Sequence, residues 1–108
     1  GFFFKEDVSP EPQELVAKDL TPAQSAEVAR KALEILSGLA DISHASAEPP
    51  LRQFVEESGL HPNQVFGILR VAVTGQKVSP PLFESMEIIG REIVLARIRR
   101  AVDTLSAM

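Results

Sequence analysis

Arg70, Thr74, Lys77 and Ser79 fall inside one ten-residue stretch and together offer a planar guanidinium, an ammonium and two hydroxyls. Such a set donates hydrogen bonds in several directions and carries positive charge, yet holds no nucleophile with a general base beside it. This is the chemistry of recognition rather than of bond making. The surrounding run from Leu69 to Gly90 reads as a helix end, a turn and a second helix. Gly75 supplies the left-handed residue that commonly closes a helix. Ser79 followed by Pro80 is a cap and first-residue pair that opens the next one. A helix-turn-helix corner is therefore predicted, with the four polar side chains gathered on an apolar base. Each has a second reading. Arg70 fits a helix-surface ion pair, and from the residues alone that is the better reading. Ser79 is first of all a cap, and Leu82 suits the core as well as a contact. Pro80 and Pro81 leave few free amides for an anion, so no phosphate nest is predicted there.

Other chemistry is sparse. His44 and His61 are the two imidazoles, both expected in loop or cap positions without a second histidine or a carboxylate at metal-ligand spacing. The chain has no cysteine, which removes disulfides, thiolate zinc sites and a cysteine nucleophile. No glycine-rich phosphate loop, serine elbow or zinc-protease motif is present. The pair Glu56-Glu57 reads as a solvated helix face. No active site is predicted, and no metal.

The elements that must position the corner are legible as helices. Thr21-Pro22-Ala23-Gln24 is a capping box, followed by Ala26, Ala29, Leu33, Leu36 and Ala40 at helical spacing, with an end near Ser37-Gly38. Ser9-Pro10-Glu11 predicts a short helix over about residues 10–18. Residues 41–45 are expected to form a loop and Ser46 to cap the next helix, whose first turn then accommodates Pro49 and Pro50. That helix turns Leu51, Phe54, Val55 and Ser58 inward and stops at Gly59. The next starts near His61-Pro62-Asn63 and buries Val65, Ile68, Leu69, Ala72 and Val73, with Arg70 projecting about 100° away from Leu69. Leu82, Phe83, Met86 and Ile89 form the inner face of the helix that Gly90 ends. The last helix spans residues 91–106, with Val94, Ile98, Ala101, Val102 and Leu105 inward and Arg97 and Arg100 on one flank. No period-2 alternation occurs, so the fold class is all-α: a compact bundle of five to six short helices.

With 108 residues the chain is one domain. No apolar run approaches the roughly 20 residues of a membrane span, and Gly-Phe-Phe-Phe is followed at once by Lys-Glu-Asp, so no signal peptide is read. A soluble cytoplasmic protein is the expectation. The start at Gly1 before Phe2-Phe3-Phe4 suggests a piece of a longer chain, with the apolar run packed on this domain or on a neighbour. Net charge is -4, unevenly placed. Residues 1–50 carry four Lys or Arg against nine Asp or Glu, and residues 51–108 seven against six, or -5 and +1. A polyanion would meet the second half.

Phe2 to Asp7, Leu51 to Leu60 and above all Leu69-Arg70-Val71-Ala72-Val73-Thr74-Gly75, Ser79-Pro80-Pro81-Leu82-Phe83-Glu84 and Ile89-Gly90-Arg91-Glu92 resemble the carboxy-terminal anticodon-binding domain of bacterial-type glutamyl-tRNA synthetases. The resemblance covers nearly the whole chain and is most specific from Leu69 to Arg91. It implies an all-helical cage in which Arg70 and the Ser79-Pro80-x-Leu82 turn lie against anticodon bases; by residue chemistry, Ser79 or Thr74 offers such a base a hydroxyl. Residues 1–8 then form the junction with the preceding domain. Ile68 departs from the family, which often has proline there, and a straighter helix follows. Anticodon bases are unstacked, and proteins read such bases through their edges, guanidinium stacking and apolar contact, which these side chains provide. Lys77, Arg97 and Arg100 are expected at the RNA backbone. The resemblance implies catalysis by an upstream domain using ATP and magnesium. The partner would be the anticodon stem-loop of glutamate tRNA and the state monomeric, with no cofactor in this part of the chain. The competing class is a helical protein-interaction or scaffold module, favoured by the acidic first half and the Phe2-Phe3-Phe4 patch.

Overall fold

The computed structural model describes residues 15–17, 19–75 and 82–108. Of the predicted helix over residues 10–18 only residues 15–17 are described, and they form no α-helix; the Phe2-Phe3-Phe4 run and Lys77, Ser79 and Pro80 lie outside the described residues. Within them the chain forms α1 (Pro22–Ser37), α2 (His44–Ser58), α3 (Pro62–Thr74), α4 (Leu82–Ile89) and α5 (Arg91–Ser106), with no strand among the described residues.

Local chemistry sets most of the boundaries. Thr21 Oγ1 accepts from the Gln24 amide at 3.1 Å while Gln24 Oε1 accepts from the Thr21 amide at 2.9 Å, the reciprocal pair that closes a helix start. His61 repeats the device at α3: its Nδ1 accepts from the Asn63 amide, and its own amide donates to Gln64 Oε1. Gly59 and Gly75 end α2 and α3 at φ 76° and 80°, a left-handed conformation that costs a residue with a Cβ about 1–2 kcal/mol. Gly90, at φ 102°, is the single residue between α4 and α5.

The start of α2 departs from the sequence reading. The helix begins at His44 rather than after Ser46, so Pro49 and Pro50 stand inside it and not in its first turn. Ser43 is the cap residue but makes no side-chain capping bond. The exposed amide of His44 instead donates to Glu87 Oε2 of α4 at 2.7 Å, and Asp41 Oδ1 accepts from the amide and hydroxyl of Ser43. A carboxylate 43 residues away thus caps this end, a contact that local spacing does not reveal.

The frame is a long α1 laid against an equally long α5, with α3 packed on both and α4 and α2 closing the other side. Ala26, Ala29 and Ala32 put small buried side chains on α1, and Val94, Ile98, Ala101 and Leu105 of α5 are buried. Small side chains at the contact let two helix axes approach closely. Val65, Ile68, Leu69, Ala72 and Val73 of α3 are buried as the periodicity predicts, and Phe66 and Val71 are buried as well. Because α3 meets α5, α1, α4 and α2, apolar residues outside its predicted stripe are covered too. Ser58, expected inward, is exposed; its hydroxyl donates to the Val55 carbonyl at the helix end. Aromatic contacts join the smaller elements. The His44 ring stacks on Phe83 at 5.1 Å, Phe83 meets Phe66 edge to face at 5.7 Å, and the Arg52 guanidinium lies over Phe66 at 5.6 Å.

Candidate functional site

The C-terminal end of α3 carries the centre of the predicted corner. Leu69 and Val73 point into the core with no exposed surface, whereas Arg70 between them is half-buried. The helix period that buries the stripe therefore turns Arg70 out of it. Thr74, one turn further on, donates from Oγ1 to the Arg70 carbonyl at 2.6 Å, the back-bond that a helical threonine commonly makes. The Gly75 amide donates to the Val71 carbonyl at 2.8 Å, and the chain then leaves the helix. Among the described residues the Arg70 guanidinium has no ion pair and no hydrogen-bond acceptor. The helix-surface ion pair considered for it is not formed with any described residue.

Leu82 opens α4 with 3 % of its surface exposed and belongs to the core. Of its two readings, core and contact, the first describes its packing. Phe83 beside it is also buried, its ring covered by His44. His44 is not in a loop: it is the first residue of α2, and its Nε2 lies 2.7 Å from Glu48 Oε1. Glu48 stands four residues on, a spacing the sequence reading passed over, and its other oxygen accepts from Arg52 Nε at 2.6 Å. The hydrogen bond from Arg52, then that from His44, holds the Glu48 carboxyl below its ordinary range. Glu48 is the carboxylate on the His44 ring, and no group of three His, Asp or Glu side chains able to hold a metal ion occurs among the described residues.

On α5, Arg97 and Arg100 share a flank as the spacing predicts, lining a shallow groove with Glu92, Ile93 and Ala96. Their surroundings differ. Arg100 is exposed, whereas Arg97 is half-buried and donates from a terminal guanidinium nitrogen to the Val73 carbonyl at 2.7 Å. Val73 is in the last turn of α3, where helix carbonyls lack intrahelical partners and the helix dipole is negative. No basic residue of α3 itself occupies that turn. Arg91, at the start of α5, does the same for α1: Nε donates to the Leu39 carbonyl and a terminal nitrogen to that of Ser37. These two arginine clamps were missed by the sequence reading, which assigned no role to Arg91 and placed Arg97 by its flank alone. Their acceptors lie 24 to 54 residues away, so no local signal points to them.

Fold and site together define an all-α domain that holds a cationic, hydroxyl-bearing helix end on a packed helical frame. The family model for the anticodon binding domain matches residues 1–102, and the chain belongs to that family. It is 40% identical over 107 residues to a glutamate–tRNA ligase of Dehalococcoides mccartyi, a match covering 99% of this chain and 22% of that protein. The ligase of Roseiflexus castenholzii is 37% identical over 106 residues, covering 98% of this chain and 21% of that one. That of Mycolicibacterium smegmatis is 44% identical over 102 residues, covering 94% and 21%. The chain thus spans about a fifth of the length of the curated relatives it matches.

Proposed function

We propose that this domain recognises the anticodon loop of glutamate tRNA as the C-terminal part of a glutamate–tRNA ligase. The observation that carries the proposal is Arg70: a half-buried arginine, free of ion pairs among the described residues, just before the last turn of α3 in a chain of the anticodon-binding family. A guanidinium so placed offers donors and a flat face to an unstacked base, which is how proteins read single-stranded RNA. Thr74 supplies a hydroxyl at the same helix end, its proton directed to the Arg70 carbonyl. Leu82, buried at the start of α4, is assigned to the site as its apolar member, together with Ser79 and Pro80, which lie outside the described residues. Lys77 and the exposed Arg100 contact the RNA backbone, which fixes register without carrying sequence information.

In this reading residues 1–8 join the domain to the preceding part of a monomeric cytoplasmic ligase. The catalytic domain, which is not in this chain, takes ATP, magnesium and glutamate. The residues described here bring together no donor set for magnesium. No helix of the described residues is long and apolar enough to cross a membrane. The test is a gel-shift titration with glutamate tRNA, run beside an unrelated tRNA and a glutamate tRNA with a substituted anticodon. Selective retention of the first is expected. Equal binding of all three, or none, sinks the anticodon reading in favour of a protein-interaction module.

A further inference from the structure

We infer that Arg97 is a positioning residue for anticodon discrimination, acting through the Val73 carbonyl on Arg70 rather than by touching RNA. The inference rests on the reading of Arg70 just proposed. Because the Arg70 guanidinium has no hydrogen-bond acceptor among the described residues, nothing attached to the side chain sets its aim. Its direction depends on the backbone at the end of α3, whose last turn follows Arg70 and bonds back to its carbonyl. That turn runs straight into Gly75, whose left-handed conformation ends the helix, and the end of a helix is where backbone order is weakest. Beyond the helical ladder, the Gly75 amide donates to the Val71 carbonyl and the Thr74 hydroxyl to the Arg70 carbonyl. From α5, Arg97 donates to the Val73 carbonyl, 24 residues away.

Arg97 is suited to this role by placement. Ala96 before it is exposed and Ile98 after it fully buried, so its stem rises at the edge of the α5 core face. Val73 has no exposed surface, so a bond to its carbonyl ties the turn to the packed interior. The guanidinium also places a positive charge at the negative end of α3, where α3 has no basic residue of its own. A lysine would keep the charge but not the planar, directed donors.

The experiment measures dissociation constants, over a series of salt concentrations, in the longer chain that carries this domain. The RNAs are glutamate tRNA and the same tRNA with one anticodon base changed. Arg70→Ala is measured first and is expected to reduce the ratio between the two by roughly tenfold, as the loss of one base contact would. Arg97→Ala should reduce that ratio comparably while leaving the salt slope unchanged. Arg97→Lys should fail to restore it. In the Arg70→Ala background, Arg97→Ala should change discrimination no further, because both act through one side chain. Thermal melts of each variant accompany the titrations, and Arg97→Lys serves should Arg97→Ala fail to fold. The inference is overturned if Arg97→Ala weakens both RNAs equally, lowers the salt slope by about one and is rescued by lysine, which is the pattern of a backbone contact. It is also overturned if discrimination stays intact in both Arg97 variants. If Arg70→Ala itself leaves discrimination unchanged, the anticodon reading fails first and the positioning role falls with it.

Discussion

The Arg91 guanidinium at the start of α5 reaches back to the end of α1, donating to the Leu39 carbonyl at 3.1 Å and the Ser37 carbonyl at 2.9 Å. Charged donors on helix-end carbonyls are among the stronger protein hydrogen bonds, worth about 1.5–3 kcal/mol each when well shielded. The Arg91 side chain is partly exposed, so a total of about 1–2 kcal/mol is expected on replacement by alanine. Urea denaturation of Arg91→Ala measures it. A loss below about 0.5 kcal/mol, typical of an ordinary surface site, would show that the clamp carries no weight.

Arg70 separates recognition from stability. Because its side chain points off the core stripe and holds no ion pair among the described residues, Arg70→Ala should alter folding stability by no more than about 0.5 kcal/mol. The same substitution should cost about 1–3 kcal/mol in binding of glutamate tRNA. A large drop in melting temperature with intact tRNA binding would reverse both assignments.

Two exposed carboxylates give the pH dependence its sign. The Ser43 hydroxyl, followed by the Ser43 amide and Ser46, lowers Asp41 from its ordinary value of 3.8. Arg52, then His44, lowers Glu48 from 4.5. A carboxyl depressed in the folded state stabilises it above the unfolded value, and this contribution is lost as pH falls through the folded value. Stability should therefore decline below about the ordinary values of 4.5 and 3.8 as acid is added. Denaturation of the Asp41→Asn, Glu48→Gln double variant should show a shallower acid limb than the parent chain. Identical limbs would mean that these bonds do not couple to folding.

The contact between α1 and α5 should tolerate neither loss nor gain of volume. Ile98 on α5 and Ala29 on α1 have no exposed surface. Ile98→Ala should cost about 2–5 kcal/mol by leaving a cavity. Ala29→Leu should cost about 1–3 kcal/mol by forcing the helices apart. Calorimetric or urea unfolding checks both. A neutral Ala29→Leu would imply a looser helix pair than this packing.

What the sequence by itself determined were features whose cause lies within a few residues. The Thr21 and Gln24 side chains close their own helix start, Gly59 and Gly75 stop α2 and α3, and the apolar period of α3 turns Arg70 off the buried stripe. The resemblance from Leu69 to Arg91 also lay in the residues, and with it the family. The start of α2 was decided by tertiary structure, because its amide is capped by Glu87 from another helix, so that Pro49 and Pro50 came to lie within it. So was the burial of Phe66 and Val71, since periodicity marks one face and α3 is covered on more than one. Arg97 shows the limit most clearly: residue spacing put it on a flank with Arg100, but only packing α5 against the end of α3 brought its guanidinium to the Val73 carbonyl. A hydrogen bond between groups 24 residues apart depends on how two helices cross, and no local pattern encodes that angle.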